Sequence, residues 1–358
     1  MKKAIDILYA AGKEGAEISL KGDDLTIRVP KAKSLSKSLI EEIRENKQSI
    51  IQVLKNNLTS TDKDEKRITK ADKNNGADIP LSFSQERLWF VHQMEGSRQY
   101  HLTSRLLLKG DLNTEALSFA LSSVVERHEV LRTLLLENGG KPYQHIIPAA
   151  GWQMQMVDVT NVNNPGQEID RLVNENNNTP FDLAKDYMFR AILFKVSNVE
   201  HQLMITMHHV ASDAWSFPII VQEVTMLYEA FESNNDSVLP PLPLQFADFA
   251  IWERNYLRKD VLDGKLGYWK NKLKNVQALQ LPTDYTRPAV RGTQGASVKA
   301  SLNTEVTQQL IKLANQQGCT LYILLMAVYK VLLYRYTGQS DIAVGASLAN
   351  RSQEDIKG

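Results

Sequence analysis

Residues 207–216 read MHHVASDAWS, and the chain changes character on either side of them. The run before, Gln202–Met207 (QLMITM), is short, apolar and rich in β-favouring side chains, which predicts a buried strand. The run after, residues 219–231 (IIVQEVTMLYEAF), repeats its apolar positions at helical spacing, with Ser216 as the cap and Pro218 in the first turn. The ten residues are therefore a strand-to-helix junction carrying two adjacent histidines and an aspartate. Neighbours on a strand point to opposite faces, so His208 and His209 cannot share a task; one faces a cleft and the other packs inside. A cleft-facing neutral imidazole can take a proton from an attacking nucleophile, because its pKa lies near working pH. Asp213 orients that site, pairs with a buried cation to hold the loop, or simply caps the helix.

Outward from the junction the pattern is α+β. Leu112–Leu136 (LNTEALSFALSSVVERHEVLRTLLL) has apolar residues every three or four and Asn113 or Thr114 as N-cap, which predicts one long helix. Downstream, the prolines of Leu239–Pro243 end a unit, and helical patterns follow over 246–275. An irregular stretch (PTDYTRPAVRGTQG) leads to an expected strand near 297–302, helices at 304–317 and 320–336, and a last strand at Ile342–Gly345.

Upstream, segment 59–78 (TSTDKDEKRITKADKNNGAD) alternates charge sign and has almost nothing to bury, so it reads as a flexible linker. Before it lies a miniature domain. Ile5, Leu8 and Tyr9 fall at helical spacing, with Gly12 and Gly15 stopping that helix. Ile18, Leu20, Leu25, Ile27 and Val29 alternate with polar residues about Lys21–Asp24, a β-hairpin signature, and Pro30 closes the second strand. Leu35 to Leu58 then supplies one or two amphipathic helices. So small a fold often gains stability by pairing or by binding a partner peptide, and its hairpin is expected to have an open edge where an extended peptide can add as a strand.

Composition removes several classes of function. The 358 residues hold 42 Lys+Arg against 41 Asp+Glu, a net charge of +1, so there is no general basic excess for nucleic acid. The charge is uneven: residues 1–57 are +3 and the remainder −2. A single cysteine, Cys319, rules out an intramolecular disulfide and a cysteine-built zinc site, and it reads as a packing residue. No apolar run approaches the ~18 residues of a membrane span, and the start reads as an amphipathic helix rather than a signal peptide. There is no HExxH among only seven histidines, no GxxxxGK[ST] and no GxGxxG, so neither a metal nor a built-in nucleotide cradle is expected. Gly345–Ala349 imitates a nucleophile elbow but lacks its final glycine. A cytoplasmic protein that contacts neither nucleic acid nor membrane is the expectation.

Four blocks, in order, resemble the condensation domains of nonribosomal peptide synthetases: SFSQERLW (Ser82–Trp89), RHEVLRT (Arg127–Thr133), MHHVASDAWS against HHxxxDG, and FADFAIW (Phe246–Trp252) against Y-x-D-Y-A-x-W. The strings LPTDYTRPA (281–289) and DIAVGASLANR (341–351) resemble intervening segments, so the likeness spans 79–358. Residues 1–57, through their element order and ISLKGDDLTIRVP, resemble the TubC-type N-terminal docking domains that precede such modules.

The resemblance implies two chloramphenicol-acetyltransferase-like lobes, an N-lobe over 79–262 and a partial C-lobe over 263–358, after a docking domain over 1–58 and the linker 59–78. It implies peptide-bond formation between a donor thioester and an acceptor amine, both delivered on the phosphopantetheine arms of carrier proteins, with no directly bound cofactor. His209 resembles the catalytic histidine, which either deprotonates the acceptor amine or positions it and stabilises the tetrahedral intermediate. His208 would be its structural neighbour. Asp213 would be structural, with Arg127 as its expected partner, Arg132 as a second candidate and Ser216 in support. In the docking domain, Lys21 and Arg28, beside Leu25 and Ile27, would meet acidic residues in the C-terminal tail of an upstream synthetase subunit. Two departures stand out: Ala214 replaces the motif glycine, and the chain stops at Gly358, before the family's I-G-x-F-V-N-T block. The competing reading is a docking and recognition fragment joined to an inactive, incomplete or epimerisation-like fold.

Overall fold

The computed structural model describes residues 7, 10–11, 16–21, 24–28, 35–56, 67–73, 78–235, 239–286, 288–289, 292, 295–296, 298–347 and 356. The chain divides into two units, Met1–Ala71 and Asp72–Gly358.

In the first unit β1 (Glu17–Lys21) and β2 (Asp24–Arg28) form the expected hairpin, with Ile18 opposite Ile27 and Leu20 opposite Leu25. Two helices follow, α1 (Lys37–Glu45) and α2 (Lys47–Asn56). Ile7, Ala11, Ala16, Leu39, Ile43 and Ile50 make the core, and Ile18, Leu25 and Leu35 pack against it. Ile7 and Ala11 are helical and one turn apart, in keeping with a first helix, although Ile5, Leu8 and Tyr9 lie outside the described residues. Leu25 is thus engaged with its own core, whereas Ile27 is 37% exposed. The side chains of Lys21 and Arg28 lie outside the described residues.

The second unit runs β3 (Ile79–Pro80), α3 (Phe83–Glu95), β4 (His101–Lys109), α4 (Thr114–Arg127), β5 (Thr133–Asn138), β6 (Lys141–Ile146) and β7 (Gln155–Asp158). It continues with α5 (Pro165–Asn178), β8 (Phe189–Lys195), β9 (Glu200–His208), α6 (Ser216–Glu232), α7 (Phe246–Tyr256), α8 (Lys259–Lys272), α9 (Thr304–Gln316) and α10 (Leu321–Thr337). One sheet has the order β3-β6-β5 and the other β4-β9-β8-β7, with β7 and β8 parallel and the remaining neighbours antiparallel. Ala191, Leu193, Leu203, Ile205 and Met207 meet Leu121 and Val124 of α4 and Ile220 and Leu227 of α6 on one face. Ile192, Phe194 and Met204 meet Ile169 and Val173 of α5 on the other. Cover on both faces explains why β9 reads as a continuous apolar run rather than an alternating one. Its last residue, His208, pairs with His101, the first residue of β4.

Three expectations need correction. The helix expected over Leu112–Leu136 ends at Arg127; a short turn follows, and Thr133–Asn138 is a strand with Leu135 opposite Gln144. Three successive leucines suit either period, and the ladder to β6 decides between them. Asn113 caps that helix as expected, its side-chain oxygen accepting from the N–H groups of Glu115 and Ala116 at 3.0 and 3.1 Å. The described residues of 297–302 and 342–345 are not in strands. Strand propensity alone leaves the backbone unpaired, and no ladder runs beside either segment among the described residues. The boundary between units, after Ala71, falls inside the stretch read as linker, as expected, and beyond it Lys73 is tied to Glu129 at 2.6 Å and to Asp248 at 3.7 Å.

Candidate active site

The β9–α6 junction separates its two histidines as the pleat requires. The His208 side chain is fully buried and that of His209 is exposed. The His209 amide donates to the Tyr100 carbonyl at 2.8 Å, holding the junction to the start of β4. The His209 ring donates from Nδ1 to the Ser212 carbonyl at 2.7 Å, since a carbonyl can only accept. The neutral ring is thereby the tautomer with a free lone pair on Nε2, and Tyr100 meets it edge-on with centroids 6.5 Å apart.

His208 faces the other way, among His101 and Phe181, with ring centroids 5.9 and 5.8 Å away. Burial above all, then the neighbouring His101 and His92, pushes its pKa down to about 3. His92 and His101 are also lowered, in each case chiefly by burial. Three neutral rings therefore stand behind the one that is exposed.

Asp213 does the capping. Its Oδ1 accepts from the Ser216 amide at 2.9 Å and from the Ser216 hydroxyl at 2.6 Å, while its own amide donates back to Ser216 Oγ at 3.1 Å. Ser216 is the first helical residue rather than the residue before the helix. Arg127 and Arg132 do not reach Asp213. Arg127 donates to Glu223 at 2.9 Å and to the Pro240 carbonyl at 2.7 Å. Arg132 donates to the carbonyls of Ile147 at 2.6 Å and Glu126. The expectation failed because α6 presents Glu223 to Arg127, a pairing no spacing in the sequence displays. His128 also meets Glu223, at 2.6 Å. Burial acts to raise the Glu223 carboxyl, but His128 and then Arg127 outweigh it and hold it below the usual carboxylate range.

A family model described as "Condensation domain" matches residues 75–358. The chain belongs to the condensation-domain family. Among relatives, a linear gramicidin synthase of Brevibacillus parabrevis is 37% identical over 287 residues, 78% of this chain and 6% of that protein. Phosphinothricin tripeptide synthetase PhsC of Streptomyces viridochromogenes is 36% identical over 282 residues, 78% of this chain and 26% of that protein. The X-domain from teicoplanin biosynthesis superposes with a TM-score of 0.67 at 30% identity, covering 75% of this chain and 59% of that one. The EpoB cyclization-docking bidomain from Sorangium cellulosum, at 20% identity and a TM-score of 0.68, covers 95% of this chain and 67% of that one, and shows the fold alone. The chain thus spans a small fraction of the synthetases it matches.

Within this condensation domain the other blocks singled out in the sequence act as braces. Ser82 and Gln85 of SFSQERLW form a reciprocal capping box that starts α3. Glu86 from the same block pairs with Arg254, which also donates to the Leu81 carbonyl at 2.7 Å, so α7 is fastened to α3. Ala214, where the motif has glycine, is not among the residues with positive φ, so a side chain there costs little. Sequence reading missed Ser212, whose carbonyl sets the His209 tautomer, although it lies inside the quoted motif. It also missed Tyr100, Ser97 and His92, which carry no signature: the Tyr100 carbonyl accepts from the His209 amide, and Ser97 bonds both His208 and, on α3, His92.

Proposed function

We propose that this condensation domain forms a peptide bond between a donor thioester and an acceptor amine, each delivered on the phosphopantetheine arm of a carrier protein. The observation that carries the reading is His209: an exposed ring whose Nδ1–H is held by the Ser212 carbonyl, leaving the Nε2 lone pair free. The amine nitrogen attacks the thioester carbonyl, the C–N bond forms, the C–S bond breaks and the carrier thiol leaves. His209 Nε2 either accepts the amine proton or holds the amine in line by accepting its N–H. Aminolysis of a thioester is favourable already, so placing two tethered reactants supplies much of the rate. His208 and Asp213 support this role structurally: the first is buried and neutral, and the second starts α6. The names of the relatives, a gramicidin synthase and a phosphinothricin tripeptide synthetase, agree with a peptide product. The test is product formation with loaded carrier proteins; unimpaired His209→Ala would remove the role assigned to His209.

We also infer a docking role for the first unit, within an intracellular synthetase. Among the described residues no third strand pairs with the hairpin, Ile27 on it is exposed, and a neighbour of the same fold is a cyclization-docking bidomain. An acidic C-terminal tail of an upstream synthetase would add there as a strand, with Lys21 and Arg28 meeting its carboxylates. Leu25 would serve from beneath, through the core it already joins. Titration of the full chain with labelled acidic tail peptides checks this: saturable binding weakened by salt supports it, and no binding of any cognate tail removes it.

A further inference from the structure

Ser97 lies just before the short turn Arg98–Tyr100 that leads into β4, and it is 1% exposed. Its hydroxyl oxygen is 2.9 Å from His208 Nε2 and 2.7 Å from His92 Nδ1. A third bond settles where the protons sit. The Val210 amide, which can only donate, points at His208 Nδ1 from 3.1 Å, so Nδ1 bears a lone pair. The neutral His208 ring then carries its hydrogen on Nε2 and donates it to Ser97 Oγ. Ser97 gives its own hydrogen to His92 Nδ1, which completes a chain from Val210 through His208 and Ser97 to His92. A protonated His208 would turn an N–H against the Val210 N–H, so this arrangement admits only the neutral ring.

The chain of bonds bears on the exposed histidine. Val210 follows His209, and its bond to the His208 ring helps fold the backbone back on itself. The Ala211 amide and the Ser212 hydroxyl complete that turn by donating to the His208 carbonyl at 2.9 and 3.1 Å. The turn is what brings the Ser212 carbonyl within reach of His209 Nδ1. From the β4 side, the Ser97 carbonyl accepts from the Tyr100 amide at 2.9 Å, and the Tyr100 carbonyl accepts from His209. One buried serine thus braces both backbone segments that hold His209.

We propose that Ser97 is a positioning residue: by accepting from His208 and donating to His92 it locks the tautomer that pins Val210, and so holds His209 with Nε2 free for substrate. The proposal rests on the role given to His209 above. The experiment uses the full chain, with ring nitrogen-15 spectra of wild type, Ser97→Ala and Ser97→Cys, beside product formation from loaded carrier proteins. Wild type should show His208 protonated on Nε2 and His209 on Nδ1. Ser97→Ala should bring His209 to a mixture of tautomers and lower kcat about tenfold with the acceptor KM within about twofold, with Ser97→Cys intermediate. His208 protonated on Nδ1 in wild type overturns the proposal, even where Ser97→Ala fails to fold. So does a folded Ser97→Ala that keeps both the His209 tautomer and kcat. If His209→Ala proves fully active, the reading of His209 falls, and the ring spectra still judge the brace separately.

Discussion

Two blocks, equally conspicuous in the sequence, are held by different physics. RHEVLRT is fastened by charge: Arg127 and His128 converge on the nearly buried Glu223, and Arg132 is spent on carbonyls. MHHVASDAWS holds its two histidines by neutral hydrogen bonds, with His208 kept uncharged by burial and His209 presented outward, and its one carboxylate, Asp213, accepts from Ser216 at the start of α6. Paired charge braces the first block, whereas the rings beside the exposed lone pair are held neutral.

The largest effect expected on this contrast comes from Glu223→Ala, which leaves two cationic or polar partners without their carboxylate. It should lower the unfolding free energy by about 3 kcal/mol, read by denaturant titration. A loss below about 1 kcal/mol would mean that the charged block is a solvated pair and the contrast is false. His209→Ala should do the reverse, leaving stability within about 1 kcal/mol while lowering product formation by about 100-fold or more.

The pH dependence of stability sharpens the neutral side. His208 titrates at about 3 in the folded chain and near 6.5 when unfolded, so on acidification the unfolded chain binds the proton first. Its contribution is complete above about pH 6.5 and drains as pH falls toward 3, by up to about 1.4 kcal/mol per pH unit. His92 and His101, also lowered, add in the same direction. Thermal melts between pH 6.5 and 5, where the paired carboxylates remain ionised, should slope steeply in wild type and less in His208→Gln; equal slopes would contradict a buried neutral ring. The smallest effect is Ala214→Gly, expected to leave activity unchanged and to cost about 0.5–1 kcal/mol through the freedom it gives the unfolded chain. A gain in activity would show that the motif glycine serves a conformation that alanine denies.

Much of this could be read in advance from local pattern. The hairpin about Lys21–Asp24, the strand at QLMITM, the helices after Trp215 and Thr320, and the opposed faces of His208 and His209 all follow from periodicity and pleat. Reading failed where partners are distant. Thr133–Asn138 looked helical until β6 lay beside it, and Arg127 was matched to Asp213 although Glu223 stands 96 residues away on α6. Asp213 accepts from Ser216 at the start of its own helix, the most local contact open to it.

What the sequence alone determined is the junction and its two histidines, because alternation along a strand is a property of the backbone and needs no partner. Which nitrogen of His209 is free, and why His208 stays neutral, were decided by the tertiary structure. The first depends on a local turn that brings the Ser212 carbonyl to His209, a conformation that residue types alone do not display, and the second on the burial of His208 against Ser97 and His101, 111 and 107 residues away, which exists only once the sheet has formed.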